Sequence, residues 1–313
     1  MNQYKIPIAL IKVSNVKKYI FKVLLLTLII SCSSGSSDSS SNDNDNQTQV
    51  SSSITGIAWN TNDFPLEIEL SENLDPDQRV AIDNMFNQWN DAGSSLGLIF
   101  DQDINNLIPD PGFEFDTDYV EDNSAAGAGT MGVYIDNGTL KLECEPSSTN
   151  CNSDGTMLFS DSNALAITIL SGQRNTLTGG VQLSQADIIV NGAGFNFTTD
   201  PTGVPGNFDF PTVLLHEAGH FVGLQHVNDP GQASIMQPSL APTQIKRTVN
   251  SFDQGLLINN YTEGNGTTTV GTLRAALNEK IIMRVMLNSD GECLHHVNGK
   301  LVKKHHIGKL RGQ

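Results

Sequence analysis

The chain has 313 residues, of which 38% are hydrophobic, and it carries a formal net charge of −16 at pH 7. This length suffices for one or two domains with a substantial core. So many carboxylates repel phosphate groups, and the charge therefore excludes nucleic acid as an expected partner.

The N-terminus has the pattern of an export signal. Five lysines between Lys5 and Lys22 precede a short apolar run, Val23 to Ile30. This run is too short to span a bilayer comfortably, which favours a signal peptide over a permanent transmembrane helix. The run ends in Ile-Ile-Ser-Cys, which resembles the lipobox of bacterial lipoproteins, where the cysteine is acylated. We therefore predict a signal peptide over residues 1–31 with lipidation at Cys32; a plain secretory signal is the alternative.

The residues after this signal also fit an exported protein. Residues 32–53 are nearly all Ser, Asp, Asn, Gly and Gln, so they predict a disordered tether with no apolar cluster to bury. Cys144 and Cys151 flank a polar loop and could close a hairpin by a disulfide, as exported proteins allow. We expect the protein to be lipid-anchored to the bacterial outer membrane, on its periplasmic or cell-surface side, or extracellular.

The middle of the chain predicts strands around one long helix. Asp75-Pro76-Asp77-Gln78 has the capping-box pattern of a helix start, and Gly93 is placed to end that helix. Strands are predicted at Ile54–Asn60, Pro65–Leu70, Leu96–Phe100, Met131–Ile135, Ala164–Leu170 and Ala186–Asn191. The acidic, turn-rich residues 101–123 predict a solvated loop, with Ca²⁺ ligation as the alternative.

The motif HEAGHFVGLQH carries the clearest chemical signal. Residues four apart lie on one face of a helix, so His216 and His220 can bind a single ion. Gly223 can end the helix in a left-handed turn, and that turn can return His226 as a third ligand. Three protein ligands with one open position form a catalytic zinc site. Glu217 lies beside the first ligand, where it can accept a proton from metal-activated water.

This motif and the SIMQP turn at residues 234–238 resemble the matrixin branch of the metzincins, a family of zinc endopeptidases. The resemblance covers roughly residues 54 to 261. It implies an α/β (α+β) zincin fold with a twisted five-stranded mixed sheet, a long helix and an active-site helix. A small C-terminal subdomain with the Met-turn would follow, completing a catalytic domain over residues 54–264.

The resemblance also implies roles for residues around the motif. Ala164–Leu170 would be the edge strand that pairs with an extended peptide, with Leu165 and Ala166 as the upper wall of the cleft. Pro238 would form part of a substrate pocket, and Met236 would lie as an apolar floor beneath the imidazoles. No histidine precedes the motif, so the second, structural zinc of vertebrate matrixins is not expected.

Together these features predict a monomeric zinc endopeptidase that binds protein or peptide substrates and a membrane through its lipid anchor. Two alternatives stay open: a surface lipoprotein with a peptide-binding or adhesive role and a vestigial zinc site, or a zinc hydrolase of another substrate class. Residues 265–313 show no clear period and end in a basic stretch. They predict either a small appended element or a disordered extension.

Overall fold

The computed structural model describes residues 56–108, 131–138, 141–142, 156–157, 159, 163–175, 179–262, 278–289, 292–297 and 300–306. Several predictions lie outside these residues and stay predictions: the signal peptide, lipidation at Cys32, the tether, the Cys144–Cys151 disulfide and the acidic residues 109–123. Within the described part of the chain, no helix is both long enough and apolar enough to cross a membrane.

The first helix, α1 (Pro76–Ala92), confirms the predicted capping box. The Asp75 side chain accepts a hydrogen bond from the Gln78 N–H at 2.8 Å, and the Gln78 side chain accepts one from the Asp75 N–H at 2.9 Å. Gly93 caps the other end, as predicted. The apolar stripe of α1 is buried in the main core and consists of Ile82, Met85, Phe86 and Trp89.

A mixed sheet forms the centre of the fold. The strands, in chain order, are β1 (Gly56–Ala58), β2 (Leu66–Ser71), β3 (Phe100–Ile108), β4 (Met131–Asp136), β5 (Lys141–Leu142), β6 (Thr156–Met157), β7 (Ala164–Asn175), β8 (Gly180–Asn191), β9 (Phe197–Thr198), β10 (Phe208–Asp209), β11 (Asn278–Asn288), β12 (Glu292–Val297) and β13 (Lys300–His306). The main sheet has the order β13-β12-β11-β7-β8-β4-β2-β3, and β1 pairs with β8. The five neighbours β3, β2, β4, β8 and β7 match the predicted mixed sheet, because β7 and β8 are antiparallel and the other pairs are parallel.

The prediction was wrong for the segment that follows α1. Ser94–Leu96 is a 3-10 turn, whereas a strand was predicted from Leu96. Residues 101–108, predicted as the start of a loop, belong to β3 instead. In the described sheet β3 lies at the edge and pairs with β2 alone, so its polar side chains can remain in solvent. An acidic strand at a sheet edge therefore resembles a solvated loop in composition.

The strand predicted at Ala164–Leu170 is present as part of β7, but the prediction that it lies at the edge of the sheet was wrong. β8 pairs with one side of β7, and β11 from the C-terminal region pairs with the other along Asn278–Asn288. β12 and β13 continue outward from β11 as an antiparallel meander. The C-terminal region thus contains an appended element that extends the sheet, which was one of the two outcomes left open by the sequence.

Two further helices complete the described fold around the sheet. Helix α2 (Phe210–Phe221) is buried along its whole length, and helix α3 (Ser251–Thr262) follows it in the chain. Trp89 of α1 donates its Nε1–H to the Leu215 carbonyl of α2 at 2.9 Å. The Tyr261 hydroxyl of α3 donates to the Val222 carbonyl at 3.0 Å. These bonds fix the position of α2 between α1, α3 and the sheet.

Asn90 connects α1 to the start of β3 by buried hydrogen bonds, and a substitution can test how much they stabilise the fold. Its Oδ1 accepts from the N–H groups of Ile99 at 3.0 Å and Phe100 at 2.8 Å. Asn90→Ala removes the buried acceptor of both hydrogen bonds and should lower the free energy of unfolding by about 2–4 kcal/mol in urea denaturation. Asn84→Ala makes the same chemical change at an exposed position of α1 and should alter it by less than about 0.5 kcal/mol. Equal effects of the two substitutions would contradict this role for Asn90.

Candidate metal centre

Helix α2 begins and ends where its sequence requires. Asp209 caps the first turn, where its Oδ2 accepts from the Thr212 N–H at 3.1 Å. The helix ends at Phe221, and Gly223 adopts the left-handed conformation with φ of 87°. A Cβ atom at Gly223 would lie 2.0 Å from the Ile57 carbonyl oxygen, so both the turn and the packing require glycine. The predicted stop of the helix is confirmed, and the chain reverses towards His226.

The three predicted ligands meet at one buried point. The Nε2 atom of His216 lies 3.0 Å from that of His220 and 3.1 Å from that of His226, and the remaining pair is 2.9 Å apart. All three side chains are buried. Among the described residues, this is the single group of three or more His, Cys, Asp or Glu residues whose ligand atoms converge. The spacing over eleven residues therefore does bring the three imidazoles together.

Two backbone carbonyls show which ring nitrogens carry lone pairs. His216 Nδ1 lies 2.7 Å from the Ile235 oxygen, and His220 Nδ1 lies 2.7 Å from the Leu224 oxygen. A carbonyl oxygen can only accept, so each Nδ1 carries the proton and each Nε2 carries a lone pair. Burial lowers the pKa of His216 to about 4, which keeps this ring neutral near pH 7. Buried, uncharged nitrogen donors at this separation fit a zinc ion, which imidazoles bind well.

Glu217 lies in the same buried region and contacts β7. Its Oε2 accepts a short hydrogen bond from the Thr168 hydroxyl, whereas Oε1 has no hydrogen-bond partner among the described residues. Burial raises the pKa of the Glu217 carboxyl to about 8, and the Thr168 hydrogen bond opposes this shift. A nearby divalent cation would also favour the carboxylate form. The carboxyl thus has one anchored oxygen and one available for proton transfer.

Thr168 is a residue that sequence reasoning missed. It was treated as part of an apolar strand, although it is the one hydroxyl-bearing residue in ALAITIL. A hydroxyl in a buried strand requires a hydrogen-bond partner, which was the available signal. Its partner could not be known, because the sequence does not show which residues of β7 face α2.

The predicted Met-turn lies beneath the helix. Met236 is fully buried, and a Cβ atom on Gly219 would lie 2.3 Å from its sulfur, so the thioether packs directly against α2 between the first two histidines. Asp253 of α3 holds the preceding residue of the turn, because its Oδ2 accepts from the Ile235 N–H at 2.9 Å. Asp253 had been assigned no role from the sequence. It fixes the carbonyl group that orients His216.

The three predicted substrate contacts lie beside β11. Leu165 and Ala166 are fully buried in β7, and Ala166 pairs with Leu287 of β11. The Pro238 carbonyl accepts from the Asn288 N–H at 3.5 Å. The structure therefore brings the two predicted walls close to a single strand of the same chain, and their role towards substrate stays a prediction.

Comparison with known proteins gives one match. The sequence model of a family described as Matrixin matches residues 58–261. No curated protein sequence is significantly similar to the chain. The matched range begins in β1 and ends in α3, so it contains all three histidines and stops before β11.

The contact between Gly219 and Met236 leads to a test of the packing beneath the metal centre. Gly219→Ala places a Cβ atom against the buried thioether and should lower the free energy of unfolding by about 1–3 kcal/mol. Gly255→Ala is the matched control, because a Cβ there meets no atom within 4 Å. It should raise stability by about 0.5–1 kcal/mol, since alanine favours a helix. Chemical denaturation of both variants measures the difference, and equal shifts would contradict the close packing.

Proposed function

Because the chain belongs to the matrixin family of zinc metallopeptidases, we propose that it is an endopeptidase that hydrolyses peptide bonds of extracellular proteins, with Glu217 as general base. The observation that carries this proposal is the convergence of three buried imidazole nitrogens, two of them on the helix that also carries the buried carboxyl group of Glu217. A vestigial site in an adhesive lipoprotein would have no reason to keep that carboxylate. β7, which contacts Glu217 through Thr168, is an extended strand, and backbone pairing with such a strand favours peptides over other substrates.

His216, His220 and His226 would hold the zinc ion. When bound, zinc supplies Lewis-acid chemistry, which acidifies a water molecule and polarises the carbonyl group of the substrate. Glu217 can accept the proton of the attacking water at Oε1 and deliver it to the leaving amine. The Thr168 hydroxyl donates to Oε2 and thereby fixes the orientation of the Glu217 carboxyl group, including Oε1. Met236 supports the imidazoles from below through its contact with Gly219.

The proposal also covers substrate binding and location. Leu165, Ala166 and Pro238 would line the cleft for an extended peptide, whose backbone could pair with β7 in place of β11, whatever the peptide's side chains. Export, lipidation at Cys32, a monomeric state and a Cys144–Cys151 disulfide belong to the same proposal and are supported by the sequence patterns alone.

Glu217→Gln tests the catalytic role directly. The variant should retain one zinc ion per chain, because it keeps all three histidines. Its kcat/KM on a fluorogenic peptide library should fall by at least about 100-fold, since an amide cannot accept the proton. Glu67→Gln makes the same change at an exposed residue of β2 and should leave the rate unchanged. Undiminished cleavage by the Glu217 variant would exclude it as the base.

Thr168→Val tests the positioning of Glu217. The substitution removes the hydroxyl donor and preserves the branched shape, so kcat should fall by about ten-fold or more while KM and zinc content stay constant. Thr168→Ser keeps a donor and should recover most of the rate. If valine and serine give the same kcat, the hydroxyl has no part in orienting the base.

A further inference from the structure

β11 pairs with the strand that a substrate would need. It runs antiparallel to β7 from Asn278, opposite Asn175, to Asn288, opposite Ala164. The other side of β7 is paired with β8. A strand has two hydrogen-bonding edges, so no edge of β7 is left along this register for an incoming peptide.

The end of β11 is held from both sides at once. On one side, the Ser289 N–H donates to the Asn163 carbonyl at 3.0 Å. On the other, the Asn288 carbonyl accepts from the Leu240 N–H at 3.3 Å, and the Asn288 N–H donates to the Pro238 carbonyl at 3.5 Å. Asn288 also forms a parallel bridge with Ser239. β11 therefore ends in a slot between β7 and residues 238–240, the two walls assigned to the substrate cleft.

The side chains of β11 contribute apolar groups to the core beside the site. Alternate residues are buried in the main core, which also contains α2: Ile281, Met283, Val285 and Leu287. Val285 pairs with Thr168, the residue whose hydroxyl contacts Glu217. Neighbouring strands lie about 4.8 Å apart, so β11 is one strand spacing from the strand that contacts the base. This is the position expected for a bound peptide.

From this geometry we propose that β11 occupies the slot between β7 and residues 238–240, the place proposed above for the substrate, as an internal, substrate-like strand that keeps the full chain latent. The proposal rests on the peptidase function proposed above. Because β11 is covalently attached, its effective concentration at the slot is of the millimolar order. A peptide substrate therefore has to displace β11 before cleavage.

Two features of the sequence distinguish the segment that contains β11 from the region matched by the family. The family match ends at residue 261, and the β11–β13 meander lies wholly beyond it. Residues 265–313 contain eight Lys or Arg and three Asp or Glu, a net charge of +5, so residues 1–264 carry −21 of the total of −16. Opposite charge favours docking of this segment on the acidic remainder of the chain.

Leu287→Asp in the full chain tests this occupancy. A carboxylate at this buried position opposes docking of β11, so kcat/KM on a fluorogenic peptide should rise by at least ten-fold. Leu98→Asp is the matched control, because Leu98 is 53% exposed, and its rate should equal that of the unaltered chain. Adding Glu217→Gln to the Leu287 variant should abolish the gain, which assigns the new activity to this site.

The remaining outcomes separate the two proposals. Equal rates for the unaltered chain and a folded Leu287→Asp variant would overturn latency and leave the peptidase function standing. Zinc-loaded proteins that cleave no peptide in either form would overturn the peptidase function as well.

If the Leu287→Asp variant does not fold, a second measurement on the unaltered chain tests the proposal. A tripeptide hydroxamate with a central leucine is titrated into the unaltered, zinc-loaded chain while amide hydrogen exchange is followed. Faster exchange in residues 281–289 on binding supports displacement of β11. Binding that leaves this exchange unchanged overturns the proposal, because ligand and β11 would then occupy different places.

Discussion

Two backbone carbonyls determine the chemistry of this site. Those of Ile235 and Leu224 keep the protons of His216 and His220 on Nδ1, so both Nε2 lone pairs face the same point. Each carbonyl depends on a wider part of the fold. Ile235 is held through its N–H by Asp253 of α3, and Leu224 follows the glycine turn that ends α2. A metal site whose histidines are oriented by main-chain carbonyls therefore requires the helix, the turn and the closing helix to pack correctly together.

Much of this arrangement could be predicted from local sequence patterns. Three features depend only on residues that are close together in the chain, so the local sequence predicts them. They are the capping box at Asp75 and Gln78, the turn at Gly223 and the four-residue spacing of two histidines. The mixed sheet was also predicted, because its inner strands are continuous apolar runs. The family match agrees with this, since it covers the region in which these signals lie.

The features that were not predicted depend on contacts between distant parts of the chain. Thr168 contacts Glu217 across 49 positions, and periodicity within β7 cannot reveal that partner. The register of β11 with β7 spans more than one hundred residues, and its apolar residues face two different packed layers, so no single period appears in the sequence. β3 was misassigned because its exposed, polar side chains resemble those of a loop.

The short strand β1 and the residue that follows it determine where a truncated form of this protein can begin. The Ile57 carbonyl accepts from the Asn260 side chain at 2.8 Å, and Trp59 donates to the Phe221 carbonyl at 2.7 Å. The two borders of the matched region thus meet at the end of the helix that carries the first two histidines. A recombinant fragment that starts beyond Trp59 would leave the Phe221 carbonyl and the Asn260 amide without these partners. The N-terminal border of a minimal catalytic fragment therefore lies before β1.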